Sequence, residues 1–501
     1  MELSRPLRLN RLGLLAAVLC CAVLWAGNCP AAEDLAREAA ALTAHYAAEL
    51  GGLAAWCRQK NLAAEAKITA DLIAPPDPSN ILLPVLPREV GPPHPPEGAS
   101  GDVAEWHRRL WKLRQDQAAA LFGLAQRGVR RHHASLAYRL ALDAIRANPD
   151  HEAVRHVFGY QKYQNQWHTP YEIQMLRSGM VWHDKFGWIE KADLPRYAAG
   201  ERLFGVTWID AANDATLHAE IANGWDIETE HYRIRTNHSI EAAVALGVKL
   251  EDLHRLWRQV FLGYYSTEAD VEALFGGRPP RSMESPRLDV VYFRNAQQYH
   301  RGLEPIMPGV GISMGLYVAG NRTAYFYAGS EDSQRTMYHE ATHQLFQQSR
   351  RAGHHVGHHA PMVVAGDVGR KANCWLMEGI AMYMETLRRE GDCFALGGLD
   401  DVRMEAARYH LQKKDFYVPF DKLVRMSVQD VQGHAEIAKL YSQIAGMTNF
   451  LVHYDDGRYR DALVSCLAAI YHGSQDPDLL ARTTGTSYAE LDKQYQKYMK
   501  R

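Results

Sequence analysis

The sequence predicts an α+β fold that is mostly helical, with one small mixed sheet between helical regions. Three observations lead there. Strand-like alternation is confined to short stretches, and the clearest fall between Glu228 and Tyr327. Ala- and Leu-rich segments with helical spacing fill both ends of the chain. Composition is that of an ordinary globular protein, with 47% hydrophobic and 23% charged residues over 501 positions, enough for two or three domains. A formal net charge of −2 gives no electrostatic footprint for nucleic acid, so no nucleic-acid partner is expected.

Positions 1–32 read as a signal peptide. Arg5, Arg8 and Arg11 form a basic start, Leu12 to Ala26 an apolar run, and Ala31 and Ala32 a small-residue cleavage site. The run is short for a membrane span, which needs about 20 residues. The mature chain is therefore expected to be exported, to the periplasm, the cell surface or the medium, with no span. Four cysteines remain after cleavage: Cys57, Cys374, Cys393 and Cys466. An exported chain permits disulfides. Cys374 and Cys393 bracket one predicted helix, so a bridge there needs the chain to double back, and buried free thiols are the alternative.

Positions 33–73 read as a helical hairpin broken at Gly51-Gly52. Positions 74–102 read as a linker, too rich in proline for a helix or a central strand. Positions 103–165 are helical again. There Ala137, Ala141, Ala144 and Pro149 match the spacing in the second helix of a tetratricopeptide repeat, and this helical region is a candidate surface for a protein partner. Positions 166–225, rich in Trp, Gly and Pro, read as an irregular connector with short strands. Then come a strand at Glu228–Thr236, a helix from Ser239 to Tyr265, a strand at Leu288–Phe293, and a hairpin turning at Gly320-Asn321. Positions 391–501 read as a wholly helical C-terminal part. Ser487 with Glu490 fits a capping box for its last helix, with Thr486 as the other possible cap.

The chemistry lies between those parts. His339-Glu340-Ala341-Thr342-His343 sits in a predicted helix. Residues four apart on a helix lie only about 40° apart around its axis, so both rings can reach one metal ion. Glu340, projecting near the same site, can take a proton from a water activated there. Downstream, Trp375-Leu376-Met377-Glu378-Gly379-Ile380-Ala381-Met382-Tyr383-Met384-Glu385 starts a second predicted helix. A carboxylate from it would complete a two-His, one-carboxylate site. Glu385 lies about two turns beyond Glu378 on the same helix face.

Together the two segments resemble the gluzincin zinc metallopeptidases, in which H-E-x-x-H is followed by a helix carrying W-L-x-E-G-x-A-x-Y-x-E. The resemblance implies Zn²⁺ held by His339, His343 and Glu378, with Glu340 as catalytic base. It also implies a zincin-type catalytic domain over 226–390, a small mixed sheet plus the active-site helices. The gap from His343 to Glu378 is longer than in the aminopeptidase branch. Over its whole length the chain looks more like secreted bacterial proteins of the same clan, grouped as a domain of unknown function. Thr323–Tyr327 matches the family's edge strand, on which substrate backbone pairs. Glu385 is expected to orient a ligand histidine. Tyr441, in a helix resembling the one that closes the cleft in related peptidases, is a candidate oxyanion donor, with Tyr383 next in line.

Other histidines carry plainer readings. His354, His355, His358 and His359 are read as a solvated loop, with a second metal as the alternative. His132, His133 and His231 are read as surface or capping residues. Tyr338 and Tyr383 are as consistent with packing as with catalysis. The expected function is peptide hydrolysis by an exported zinc metallopeptidase acting on a peptide or protein. A catalytically inactive zinc-binding scaffold, or a zinc hydrolase of a non-peptide amide or ester, are the alternatives.

Overall fold

The computed structural model describes residues 30–73, 77–90, 95, 97–278, 286–309, 313–329, 333–349 and 368–500. The apolar N-terminal run and the histidines at 354, 355, 358 and 359 lie outside them. The fold is mostly helical α+β with small mixed sheets, as the sequence predicts. Among the described residues no helix is long and apolar enough to cross a membrane.

The first helix, Pro30–Gln59, runs straight through Gly51 and Gly52. The chain reverses later, at Lys60–Leu62, where Asn61 takes the left-handed φ of 60°. A glycine pair lowers helix propensity without forcing a break, and asparagine tolerates left-handed backbone better than most residues. The return helix, Ala63–Asp71, packs with the first one around Leu53, Cys57, Trp106 and Leu110. Within the proline-rich segment, Asn80–Pro84 forms a strand, contrary to the linker expectation. It pairs antiparallel with Cys393–Gly397 at the edge of a three-stranded sheet, where Pro84 ends the strand. The helices Gly101–Arg130 and Ala134–Ala147 pair closely because Gly128 lies against Ala137; a Cβ on Gly128 would meet the Ala137 Cβ at 3.4 Å.

Positions 161–217 contain a repeat that the reading of an irregular connector missed. Three hairpins, 161–168, 180–190 and 201–210, are each followed by a short helix. Trp167, Trp188 and Trp208 occupy the second strand of successive hairpins. The helix side of each unit packs on the tryptophan of the next: Tyr171 on Trp188 at 6.1 Å and Tyr197 on Trp208 at 5.5 Å between ring centroids. His218 then stacks on Trp225 at 4.6 Å, joining the array to the main sheet. The signal was the recurrence of tryptophan every 20 or so positions, with Thr169, Glu190 and Asp210 two residues after Trp167, Trp188 and Trp208.

The main sheet has five strands in the order Gly315–Val318, Thr323–Tyr327, Leu288–Phe293, Tyr232–Thr236, Trp225–Glu228. Leu288–Phe293 is parallel to both of its neighbours, and the two outer pairs are antiparallel. Tyr232, Ile234 and Thr236 are buried while Arg233 and Arg235 face out, which is the period-two pattern of a half-covered strand. Thr323–Tyr327 is not the edge strand. It pairs on both sides, because the Gly320-Asn321 turn folds Gly315–Val318 back as its outer neighbour. The edge is therefore Gly315–Val318.

Helix Ile240–Val260 covers this sheet, started by Ser239, whose hydroxyl accepts the Ala242 N–H. The C-terminal part is not wholly helical. A hairpin, Arg388–Glu390 with Cys393–Gly397, turns at Gly391 with φ +60°. Its second strand buries Phe394, Ala395 and Leu396, a continuous apolar run that periodicity alone cannot tell from helix. Helices Val402–Lys413, Ile437–His453, Arg460–Tyr471 and Tyr488–Tyr498 complete the core. Ser487 caps the last by accepting the Glu490 N–H at 3.3 Å.

Candidate metal centre

The motif lies on helix Ser333–Gln348, between the edge strand and helix Cys374–Met384. Ala341, Thr342, Leu345 and Phe346 are buried, which turns His339, Glu340 and His343 to the other side. Buried Gln344 fixes the helix on the sheet: its Nε2 donates to the carbonyls of Asp289 at 2.9 Å and Arg322 at 3.2 Å. Helix Cys374–Met384 is set by Asn373, whose backbone N–H donates to the Val424 carbonyl at 3.0 Å and whose side chain donates to the Asp476 carbonyl at 2.8 Å.

Gly379 decides how near the next helix comes. A Cβ there would lie 2.1 Å from Thr448 Oγ1 and 3.2 Å from Ile444 Cγ2, so only glycine lets Ile437–His453 pack at this distance. That approach brings Tyr441 beside Glu378, close enough for each to shift the other's titration.

His339, His343 and Glu378 converge. His339 Nε2 and His343 Nε2 are 3.2 Å apart, and the Glu378 oxygens lie 3.6 Å and 3.7 Å from them. Ligand bonds of about 2.0–2.2 Å in tetrahedral geometry set neighbouring donor atoms roughly 3.3–3.5 Å apart. The three side chains fit a metal ion by this measure, and by their chemistry of two imidazoles and one carboxylate. The other ring nitrogen of His339 is also accounted for. Nδ1 lies 2.8 Å from Glu385 Oε1, so in the neutral ring a proton kept on Nδ1 turns the Nε2 lone pair toward His343 and Glu378.

Glu385 is itself held. Its carboxylate takes a two-pronged contact from Arg403, at 2.9 Å on each oxygen, and a third from Arg335 at 3.1 Å. Arg335 also pairs with Asp401 at 2.9 Å. Sequence reasoning named Glu385 but neither arginine. Arg335 stands one helical turn before His339 and was legible; Arg403 comes from a separate helix and was not.

Glu340 reaches the edge strand. One of its oxygens accepts the Tyr317 N–H at 2.8 Å. The strand comes this close because residue 315 is glycine; a Cβ there would lie 2.7 Å from Thr336 and 3.5 Å from the Glu340 side chain.

Electrostatics separate the groups. Burial raises the Glu340 carboxyl to about 7, against lowering by His339 and the Tyr317 N–H. Burial pushes His343 down to about 4. For His339, burial works downward, but hydrogen bonds to Glu378 and Glu385 outweigh it and hold the ring at about 10. Burial works upward on Glu378 and Glu385, and the hydrogen bonds from His339 overcome it, leaving both at about 2.

The remaining residues sort as follows. Tyr441 is half-buried beside Glu378, and burial raises its phenol, so it stays protonated. Tyr383 is fully buried and donates to His453 Nε2 at 2.9 Å, so it packs the core and does not face the donors. Tyr338 is likewise buried. His132 pairs with Glu268 at the surface, and His133 precedes helix Ala134–Ala147. His231 is no lone surface residue; it contacts Glu251 and His254. All four described cysteines are free, Cys374 and Cys393 included, since the helix between them carries them apart.

No family model matches the chain, and a search of curated proteins finds no match. The geometry stands alone: a His–His–Glu group that can hold a metal ion, with the half-buried Glu340 carboxylate beside it.

Proposed function

We propose that the protein is an exported zinc metallopeptidase, with His339, His343 and Glu378 as ligands, Glu340 as general base and a peptide or protein as substrate. The observation that carries this reading is the position of Glu340. It lies between the two ligand histidines in sequence, is not itself a ligand, and is bonded to the edge strand. Two nitrogens and one oxygen suit zinc. Zinc, when bound, polarises a carbonyl and acidifies a water at its open position.

The chain's own residues do the rest. Glu340, with a carboxyl near neutrality, takes the proton from that water and returns it to the departing amine. Gly315–Val318 offers an outer edge that no strand covers among the described residues, so an extended peptide can pair there. The position of Tyr441 supports a role as hydrogen-bond donor to the oxyanion. Export is supported by the basic and apolar pattern of positions 1–32.

The test is a metal assay paired with a peptide-library digest. Purified protein is expected to bind zinc at this centre, and His339→Ala or His343→Ala to lose it there. Wild type is expected to cleave and Glu340→Gln to cleave roughly 10²-fold more slowly with zinc retained. Zinc with no cleavage of any peptide would instead support a scaffold. Cleavage confined to small amides or esters would move the substrate class.

A further inference from the structure

A cavity of about 980 Å³ lies elsewhere. It opens between the hairpin–helix repeat, helix Ile240–Val260 and the N-terminal helices. Tyr171, Trp182 and Trp188 form part of its wall, and His231, Glu251 and His254 line it together. Glu251 and His254 are one turn apart on the helix and so share a face. His231 comes from the loop that enters strand Tyr232–Thr236.

We propose that His231, Glu251 and His254 form a second site for a divalent transition-metal ion, with its open coordination position facing this cavity. One donor atom from each residue lies within 4.8 Å of the others. His231 Nδ1 and Glu251 Oε2 are already 2.7 Å apart. Gathering three donors around one ion needs separations of about 3.3 Å, a change within reach of ring and carboxylate rotation.

A second, independent observation points to a ligand. His254 is only 7% exposed, yet neither ring nitrogen has a hydrogen-bond partner among the described residues. Neither ring nitrogen is sealed off inside the protein, so the unpartnered imidazole can reach a ligand in the cavity it lines.

The surroundings fix the other two ligands. Glu251 Oε1 accepts the Thr229 hydroxyl at 2.6 Å and the His231 backbone N–H at 2.7 Å, which orients the carboxylate and leaves Oε2 toward the histidines. The rings of His231 and His254 stand 3.8 Å apart, close to parallel at 24°. To aim both lone pairs at one ion, one ring would have to turn about its Cβ–Cγ bond. Glu230 lines the same cavity, as do Asp252, Arg255 and Arg258, so its wall carries charges of both signs. Two nitrogens and one oxygen select zinc or a neighbouring metal over magnesium or calcium.

The experiment uses the whole protein, made metal-free and titrated with zinc alone by calorimetry. Wild type is expected to bind two zinc ions. His343→Ala, which removes a ligand of the other centre, is expected to retain one. His343→Ala with His254→Ala is expected to retain none. If His254→Ala does not fold, Glu251→Gln replaces it, since an amide oxygen still accepts the bonds from Thr229 and His231 but binds metal at least tenfold more weakly. Cobalt in place of zinc gives a second reading, because a site with these ligands adds visible absorption in His343→Ala that His254→Ala removes. Failure of His343→Ala to bind zinc or cobalt would overturn the proposal, as would binding that survives both ligand changes. The outcome is separable from the peptidase reading: a single ion lost with His343→Ala sinks only this site, and a single ion lost with His254→Ala sinks only the other.

Discussion

Glu385 Oε1 lies 2.8 Å from His339 Nδ1, and Arg403 grips both oxygens of the same carboxylate. The carboxylate is almost fully buried, so its charge is balanced by these contacts and not by water. It fixes which nitrogen of His339 faces the metal position. Glu385→Ala is expected to weaken zinc binding about 10- to 100-fold, less than the loss from Glu378→Ala. Arg403→Ala should weaken it too, because the carboxylate then loses its two-pronged anchor. Competition with a chelator of known affinity measures both. A larger loss from Glu385→Ala than from Glu378→Ala would exchange their roles.

The half-buried Glu340 carboxyl makes a prediction about pH. In the metal-free fold its pKa stands near 7, against an ordinary value of 4.5. Between those values the folded state holds a proton that the unfolded chain releases, so this group's contribution to stability falls as pH rises from 4.5 to 7. Above pH 7 the cost is complete, on the order of 3 kcal/mol. Glu340→Gln removes the charge and keeps an oxygen for the Tyr317 N–H. The metal-free variant is expected to melt higher than metal-free wild type at pH 8, with the gap closing toward pH 4.5. Equal melting temperatures across that range would show that Glu340 is not desolvated.

Gly379 gives a test of packing. Gly379→Ala would place a Cβ 2.1 Å from Thr448 Oγ1, so helices Cys374–Met384 and Ile437–His453 must separate. Overpacking of this kind costs about 1–3 kcal/mol. The expected result is a lower melting temperature together with weaker zinc binding, since Glu378 is the preceding residue. Thr448→Ala added to Gly379→Ala should recover part of both, because it removes the closest atom. Double-mutant additivity would show that the two residues are not in contact.

The motif residues were legible because their geometry is local: His339 and His343 are set by helical spacing alone. Glu378 was reachable only through its sequence context, and the structure brings it within 3.7 Å of both rings. What could not be read was long-range. Arg403 meets Glu385 through a loop and a hairpin, and the edge strand is decided by how Gly315–Val318 folds back, not by its composition. The strand Cys393–Gly397 looked helical because a buried strand carries no alternation. His231 looked ordinary because its partners stand 20 and more residues away.

Tyr441 carries the last prediction. Hydrolysis places negative charge on the carbonyl oxygen, and a donor already beside a metal ligand is well placed to meet it. It stands beside Glu378, and burial keeps the phenol protonated. Tyr383, the other tyrosine considered, is excluded from the cleft by its bond to His453. Tyr441→Phe keeps the ring and removes one oxygen. A donor acting only in the transition state should cost roughly 10²-fold in kcat, with KM, zinc content and melting temperature little changed. A hydroxyl that merely orients Glu378 would instead show as weaker zinc binding with kcat preserved at saturating metal. Measuring kcat at saturating zinc beside chelator competition separates the two, and an unchanged kcat removes Tyr441 from the chemistry.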